Sequence, residues 1–181
     1  MDRLVSVRVI DEDELKNNDL YPYRSLLGSG SVKSVMIAHA AFPNVRLQEQ
    51  DQNGKLLPSS LSPAIISELL RGEFGFDGLI VTDDLEMGAI VENYGIGEAC
   101  RMAIAAGVDM LAICASVDAI NEGYDAVSTA VRSGDISEDR LDESIERIQS
   151  LKKELAKPLE FDDQRLTALS NEIAEFTARL K

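Results

Sequence analysis

Two adjacent carboxylates end an apolar run near the middle of the chain. The apolar run 79–81 ends in Thr82, Asp83 and Asp84 within the stretch GFDGLIVTDDLEMGAI, which spans residues 75–90. Ionised groups at the end of a buried strand lose hydration, so their presence there needs a reason. One reason is chemistry, since a carboxylate held open to a pocket can act as a nucleophile or as an acid–base group. The other is structural, since aspartate favours turns and helix caps.

Polar side chains stand at equivalent places elsewhere in the chain. His39 ends the apolar run 32–38, and Ser116 follows the apolar run 110–114. Runs that are apolar almost throughout are typical of strands in a parallel sheet covered on both faces. Because (β/α) barrels carry their catalytic groups at the carboxyl ends of the strands, we expect these polar ends to share one edge of a sheet.

Helical segments separate the three predicted strands. Ser62 is a candidate N-cap before Pro63, and the apolar stripe Ile65, Ile66, Leu69 and Leu70 follows it. Further helices are predicted over residues 11–27, with an interruption at Pro22, and over residues 97–106, 117–131, 138–156 and 162–181. Gly107 and Gly134 are predicted helix ends, and Ser116 and Ser137 are predicted caps. Strand and helix in alternation predict parallel βα units, which is an α/β fold.

The composition of the chain indicates a folded protein and argues against several kinds of partner and site. The 181 residues are 45% hydrophobic, enough for a folded core, and the net charge of −14 argues against nucleic-acid and anionic-membrane partners. The start of the chain has no signal-peptide pattern, which favours a cytoplasmic location. Cys100 and Cys114 are expected to be reduced thiols. One histidine and two distant cysteines predict no metal site, and no motif indicates a cofactor.

The stretch LLRGEFGFDGLIVTDDLEMGAI closely resembles the signature of glycoside hydrolase family 3, and within it that of the bacterial β-N-acetylglucosaminidases. Flanking segments agree in order and spacing: DLYPYRSLL, VMIAHAAFP, LLPSSLSPAIISELLR, AIAAGVDMLAIC and RLDESIERIQSLK. The resemblance implies a partial (β/α)8 (TIM-type) barrel, made of the last three β/α units plus a C-terminal helix. It places the barrel units at residues 1–157 and expects residues 158–181 to form a helix that packs on them.

The resemblance also implies site residues. It places the nucleophile of a retaining glycosidase at Asp83, with Asp84 turned away to brace the loop. Met36, His39 and Met87 match positions that line the sugar pocket, although each also has a plain structural interpretation as a core methionine or a hydrogen-bonded histidine. Glu86 is interpreted as a solvated loop charge. The implied substrates are amino-sugar glycosides such as peptidoglycan fragments or chitooligosaccharides, and transfer of the sugar to phosphate is a variant.

Two parts of the family pattern are missing from this chain: the strand that carries a Lys-His pair and the loop that carries the Asp/His acid–base pair. The chain is therefore expected to be incomplete as an enzyme unless another chain or further sequence supplies the first half. The alternative is a catalytically silent half-barrel that serves binding or assembly. Because strands cut from a barrel have open edges, a homodimer joined at strand 32–38 or strand 110–114 is expected if no complementing half is present.

Overall fold

Five short strands and seven α-helices occur in the part of the chain that the computed structural model describes, which is residues 6–7, 11–158 and 160–180. The strands are β1 (Ser6–Val7), β2 (Ser34–Ile37), β3 (Ala40–Ala41), β4 (Leu79–Asp84) and β5 (Met110–Ala112). The α-helices are α1 (Glu12–Glu14), α2 (Tyr21–Leu27), α3 (Gly88–Val91), α4 (Ile96–Ala106), α5 (Val117–Ser133), α6 (Glu138–Glu154) and α7 (Asp163–Arg179). Wider π-helical turns form Leu15–Asp19 and Ala64–Glu73, and a 3-10 turn forms Ser59–Leu61.

The three predicted strands form one parallel sheet in the order β2-β4-β5. Met36 of β2 lies opposite Val81 of β4, which in turn lies opposite Met110 of β5. A second parallel pair joins β1 to β3 and is not predicted, because two-residue strands have no periodicity to detect. The α/β class and the parallel pairing are confirmed, whereas closure into a barrel would need more strands than these.

Helices cover one face of the sheet and leave the other face open. Ile80 and Thr82 of β4 are completely buried on the covered side. The opposite face carries Met36, which is 62% exposed, and Met110, which is 42% exposed. The core on the covered side includes Ile37, Ile66, Leu69, Leu70, Ala99, Cys100 and Ala103. The chain therefore covers only one of the two apolar faces that the sequence predicts.

Local signals place the helix ends where the sequence predicts them. The side chains of Ser116, Ser137 and Asp162 each accept the backbone N–H three residues further on, at 3.2, 3.2 and 2.9 Å. Each satisfies a donor that the first helical turn leaves free. At the other end, Gly107 (φ 114°) and Gly134 (φ 84°) close α4 and α5 in the left-handed conformation.

The polar loop 46–61 is tied to the start of the π-helix by Glu49. The Glu49 carboxylate accepts the Ser62 hydroxyl at 2.5 Å and the Ala64 N–H at 3.0 Å. Ser62 Oγ also accepts the N–H of Ile65 at 3.2 Å, so the predicted capping role of Ser62 is confirmed. A carboxylate at this position also favours the helix electrostatically. This loop is therefore anchored by a residue that sequence patterns do not single out.

Asp109 forms the centre of a buried ionic cluster at the start of β5. Its side chain is fully buried and faces the guanidinium groups of Arg71 at 2.6 Å, Arg147 at 3.1 Å and Arg140 at 3.6 Å. The Ser144 hydroxyl donates to the same carboxylate at 2.8 Å. Burial lowers the pKa of Arg71 and of Arg140, and the charge of Asp109 opposes that shift. One carboxylate thus joins the π-helix, β5 and α6.

Helix α7 does not pack on the sheet as the sequence predicts. None of its residues is buried. Its apolar stripe is 50–71% exposed and consists of Leu166, Leu169, Ile173, Phe176 and, at the C-cap, Leu180. The preceding residues 155–158 and 160–162 are exposed as well. An amphipathic pattern predicts that one face of a helix will be covered, but it does not identify the covering surface.

Candidate active site

Asp83 lies at the carboxyl edge of the sheet, at the end of the central strand β4. It shares the open face with Val81, because side chains alternate along a strand and the intervening Thr82 is buried on the covered side. Asp83 is half-buried, and its Oδ1 accepts the N–H of Asp84 at 2.8 Å. This bond holds the carboxylate in one orientation. The geometry is that of an oriented carboxyl group facing the open side of the sheet.

Asp84 is engaged with the loop that follows β4. Its Oδ1 accepts the N–H of Glu86 at 3.1 Å, and its backbone carbonyl accepts the N–H of Met87 at 3.1 Å. These bonds close a tight turn directly after the strand. The two adjacent carboxylates therefore have different surroundings, and they do not compete for one pocket.

His39 is buried, with 4% of its surface exposed, and both ring nitrogens are hydrogen-bonded. Nε2 is 3.0 Å from the backbone carbonyl of Asp84, and Nδ1 is 2.7 Å from the Ser60 hydroxyl. Because a carbonyl can only accept, Nε2 donates to Asp84, and Nδ1 forms the second bond with the Ser60 hydroxyl. His39 is therefore hydrogen-bonded to the end of β4, next to Asp83. This geometry agrees with the interpretation of a hydrogen-bonded histidine, and a role of His39 in lining a sugar pocket stays a prediction.

The two methionines occupy different surroundings. Met36 is 62% exposed on the open face, one layer nearer the amino end of the sheet than Asp83. Met87 is 37% exposed and precedes α3, in the turn that Asp84 closes. Neither is a core residue in this chain. Met36 therefore adds exposed apolar surface to the open face, and Met87 adds it to the turn after β4.

Glu86 is not the solvated charge that the sequence suggests. Its carboxylate oxygens accept the N–H groups of Ala115 at 2.6 Å and Ser116 at 3.0 Å. Ser116 is the N-cap of α5, and a helix start favours a carboxylate through its free N–H groups and its dipole. Glu86 thereby joins the loop after β4 to the loop after β5. The predicted cap at Ser116 was the one sequence signal that pointed to such an anchor.

Two uncharged side chains, Thr82 and Cys114, also lie near this edge. Thr82 Oγ1 accepts the N–H of Ala112 at 3.0 Å and links β4 to β5 beside the site. Cys114 is an exposed free thiol at the end of the next strand. Desolvation and then the carboxylate of Asp84 raise the pKa of the Cys114 thiol, so it stays protonated at neutral pH.

Among the described residues, no group of three or more His, Cys, Asp or Glu side chains could hold a metal ion. A separate search of those residues finds no helix with the length and hydropathy that a bilayer span requires. A cavity of about 580 Å³ lies at the opposite edge of the sheet, where Lys33, Asp77 and Arg147 are among its lining residues. It is not next to Asp83, whose surroundings are an open sheet face instead of a closed pocket.

A parallel α/β sheet with an oriented carboxylate at its carboxyl edge is typical of α/β enzymes, which bind substrates at that edge. The model of the glycosyl hydrolase family 3 N terminal domain matches residues 5–151. The chain therefore belongs to glycosyl hydrolase family 3, as the sequence motifs indicate.

Several proteins that are similar in sequence or structure to this chain carry the names of glycosidases. The chain is 30% identical over 154 residues to a "Beta-N-acetylglucosaminidase/beta-glucosidase" of Cellulomonas fimi, covering 84% of this chain and 27% of the relative. It is 34% identical over 102 residues to a "Beta-hexosaminidase" of Tolumonas auensis, covering 56% of this chain and 28% of the relative. A solved family 3 β-N-acetylglucosaminidase from Paenibacillus sp. superposes with a TM-score of 0.78 at 34% identity, covering 90% of this chain and 30% of that chain. The chain thus spans less than a third of each of these proteins.

Proposed function

We propose that this chain provides the nucleophile half of a retaining glycoside hydrolase site of the β-N-acetylglucosaminidase type. Asp83 is the nucleophile, and the substrates are amino-sugar glycosides such as peptidoglycan fragments or chitooligosaccharides. The observation that carries the proposal is the half-buried Asp83 carboxylate at the carboxyl edge of β4, oriented by the Asp84 N–H. Family membership and the names of the relatives support the same chemistry.

In such a reaction the Asp83 carboxylate attacks the anomeric carbon while the bond to the leaving oxygen breaks. A covalent glycosyl-enzyme forms, and water then releases the sugar and regenerates the carboxylate. Asp83 must be ionised and must not rotate away, and its bond to the Asp84 N–H serves the second requirement. Met36 and Met87 offer apolar surface for the face of a sugar ring.

Neighbouring residues position this carboxylate. His39 holds the carbonyl of Asp84, and Ser60 in turn holds His39. Glu86 ties the following loop to the start of α5. These bonds fix the end of β4 from both sides, and a fixed nucleophile needs less reorganisation in the transition state.

The general acid–base is supplied from outside these 181 residues. A retaining site needs a second acid–base group beside the scissile bond. Asp84 and Glu86 are the carboxylates nearest to Asp83 in sequence, and backbone N–H groups engage both. The full barrel therefore forms with a complementing half, as a separate chain or as further sequence, which agrees with the 27–30% coverage of the relatives.

The nucleophile is tested by trapping. The chain is co-expressed with the preceding barrel segment of the Paenibacillus relative, treated with a slow fluorinated N-acetylglucosaminide and digested for mass spectrometry. The label is expected on Asp83, absent in Asp83→Ala and retained in the matched control Asp84→Ala. A label on any other residue would contradict the assignment of Asp83 as the nucleophile.

Activity of the chain alone tests its incompleteness. Turnover of an aryl N-acetylglucosaminide by the pure 181-residue protein should be near background, because loss of acid–base catalysis typically costs about 10²–10⁴-fold. Robust hydrolysis that disappears in Asp83→Asn would show that these residues contain the acid–base group after all.

A further inference from the structure

Helix α7 carries an apolar seam whose spacing is that of a coiled coil. The residues are Leu166, Leu169, Ile173, Phe176 and Leu180, at successive intervals of three, four, three and four. This repeat places them at the a and d positions of two heptads and a third a position. All are at least half exposed, and the helix has no buried residue. The seam is therefore formed but uncovered within this chain.

We propose that α7 is a homodimerisation helix, and that the surface which covers its seam is α7 of a second copy of this chain. A heptad seam is self-complementary, because identical a and d side chains can interlock with those of a second helix. Local contacts support both ends of the helix: Asp162 caps its first turn, and Glu175 lies 3.9 Å from Arg179 on its last turn. The proposal concerns assembly and is independent of the proposed enzyme activity.

The charge on α7 is small enough to permit contact between two copies. The chain as a whole has a net charge of −14, so two copies repel each other over most of their surfaces. Within α7, three acidic residues stand beside two arginines, which gives a net charge of −1. This is close to the helix's share of the total charge, so pairing two copies of α7 brings together only a small net charge.

The size of the seam suits a weak dimer. Five side chains that each expose roughly 100 Å² would bury on the order of 1,000 Å² when two helices pair, which is the lower end of specific interfaces. The helix is about 25 Å long, and the seam spans two heptads and the first position of a third. We therefore expect association on the order of micromolar concentration. The exposed residues 155–158 and 160–162 separate α7 from the sheet, so pairing does not require the folded unit to move.

Two other occupants fit less well. Membrane-surface helices carry mostly lysine and arginine on their polar face, whereas acidic residues outnumber arginines on α7. The open sheet face of a second copy ends in Asp83, and covering it with an apolar helix would bury that carboxylate without a partner.

The test compares two variants, each of which adds one negative charge to a different face of the helix. Ile173→Glu places it in the seam, and the matched control Asn171→Glu places it on the opposite face. Sedimentation velocity is measured between about 1 and 200 µM, with circular dichroism to check the fold. We expect the unchanged chain and Asn171→Glu to dimerise with similar midpoints, and Ile173→Glu to associate at least tenfold more weakly. Since no residue of α7 is buried, neither change should disturb the folded unit.

Three results would contradict the proposal. A chain that stays monomeric over the whole range overturns the proposal. Dimerisation that Ile173→Glu leaves unchanged also overturns it and moves the interface to the sheet edges or the open sheet face. Co-sedimentation of the monomer with phosphatidylserine vesicles, lost in Ile173→Glu, would assign the seam to a membrane surface instead.

Discussion

Replacing Asp109 by asparagine should remove a large part of the stability of this fold. Asparagine keeps the shape of the side chain and one acceptor oxygen, so the change isolates the charge. In the native chain the carboxylate accepts Arg71 at 2.6 Å, Ser144 at 2.8 Å, the N–H of Ile80 at 2.9 Å and Arg147 at 3.1 Å. Its loss leaves Arg71 without this ion pair, and Arg140 and Arg147 keep only the more exposed Glu143, at 3.7 and 3.8 Å.

The magnitude follows from burial. The Asp109 side chain is 0% exposed, and its arginine partners are only 15–25% exposed, so water screens them poorly. Removing one partner of a buried ion pair costs about 3–5 kcal/mol, because the other charge stays buried and unpaired. The whole free energy of unfolding of a domain is only about 5–15 kcal/mol. Asp109→Asn should therefore unfold at a much lower urea concentration than the native chain.

Urea titration followed by circular dichroism measures this loss. Asp77→Asn is the matched control, since Asp77 is an exposed carboxylate at the same edge of the sheet and should change stability by less than about 0.5 kcal/mol. Adding Arg147→Met to Asp109→Asn should recover part of the loss by removing one unpaired charge. A loss below about 1 kcal/mol for Asp109→Asn, or no recovery in the double variant, would refute the view that this cluster is a buried ionic lock.

Three further changes test packing, ionisation and the loop anchor. A Cβ on Gly78 would lie 2.5 Å from the buried ring of Phe76, so Gly78→Ala should lower the unfolding free energy by about 1–3 kcal/mol in the same titration, and an unchanged midpoint would contradict this. Burial raises the pKa of Cys100 to about 11, so between about pH 9 and 11 only the unfolded chain ionises this thiol; stability should fall over that window, and Cys100→Ala should show a smaller fall. Glu86→Ala should speed amide exchange at Ala115, whereas exchange equal to that of the native chain would show that the carboxylate does not hold this loop.

Local patterns in the sequence determined the elements and the position of the candidate nucleophile. Strand and helix limits depend on neighbours within a few residues, so caps such as Ser116 and Ser137 and the stop at Gly107 could be predicted from the chain alone. The same holds for Asp83, because the end of an apolar strand is visible in sequence. The family motifs then supplied its chemical role, which remains a prediction.

Tertiary structure alone decided the partners of the polar residues. His39 is bonded to Ser60, 21 residues away, and to the carbonyl of Asp84, 45 residues away. Glu86 reaches the N-cap of α5 across 30 residues, and Asp109 joins arginines from two helices. Such contacts depend on how the elements pack, which no periodicity encodes. The case of α7 is similar. Its amphipathic pattern predicted a helix with one apolar face, but only the structure showed that no other part of the described chain covers that face.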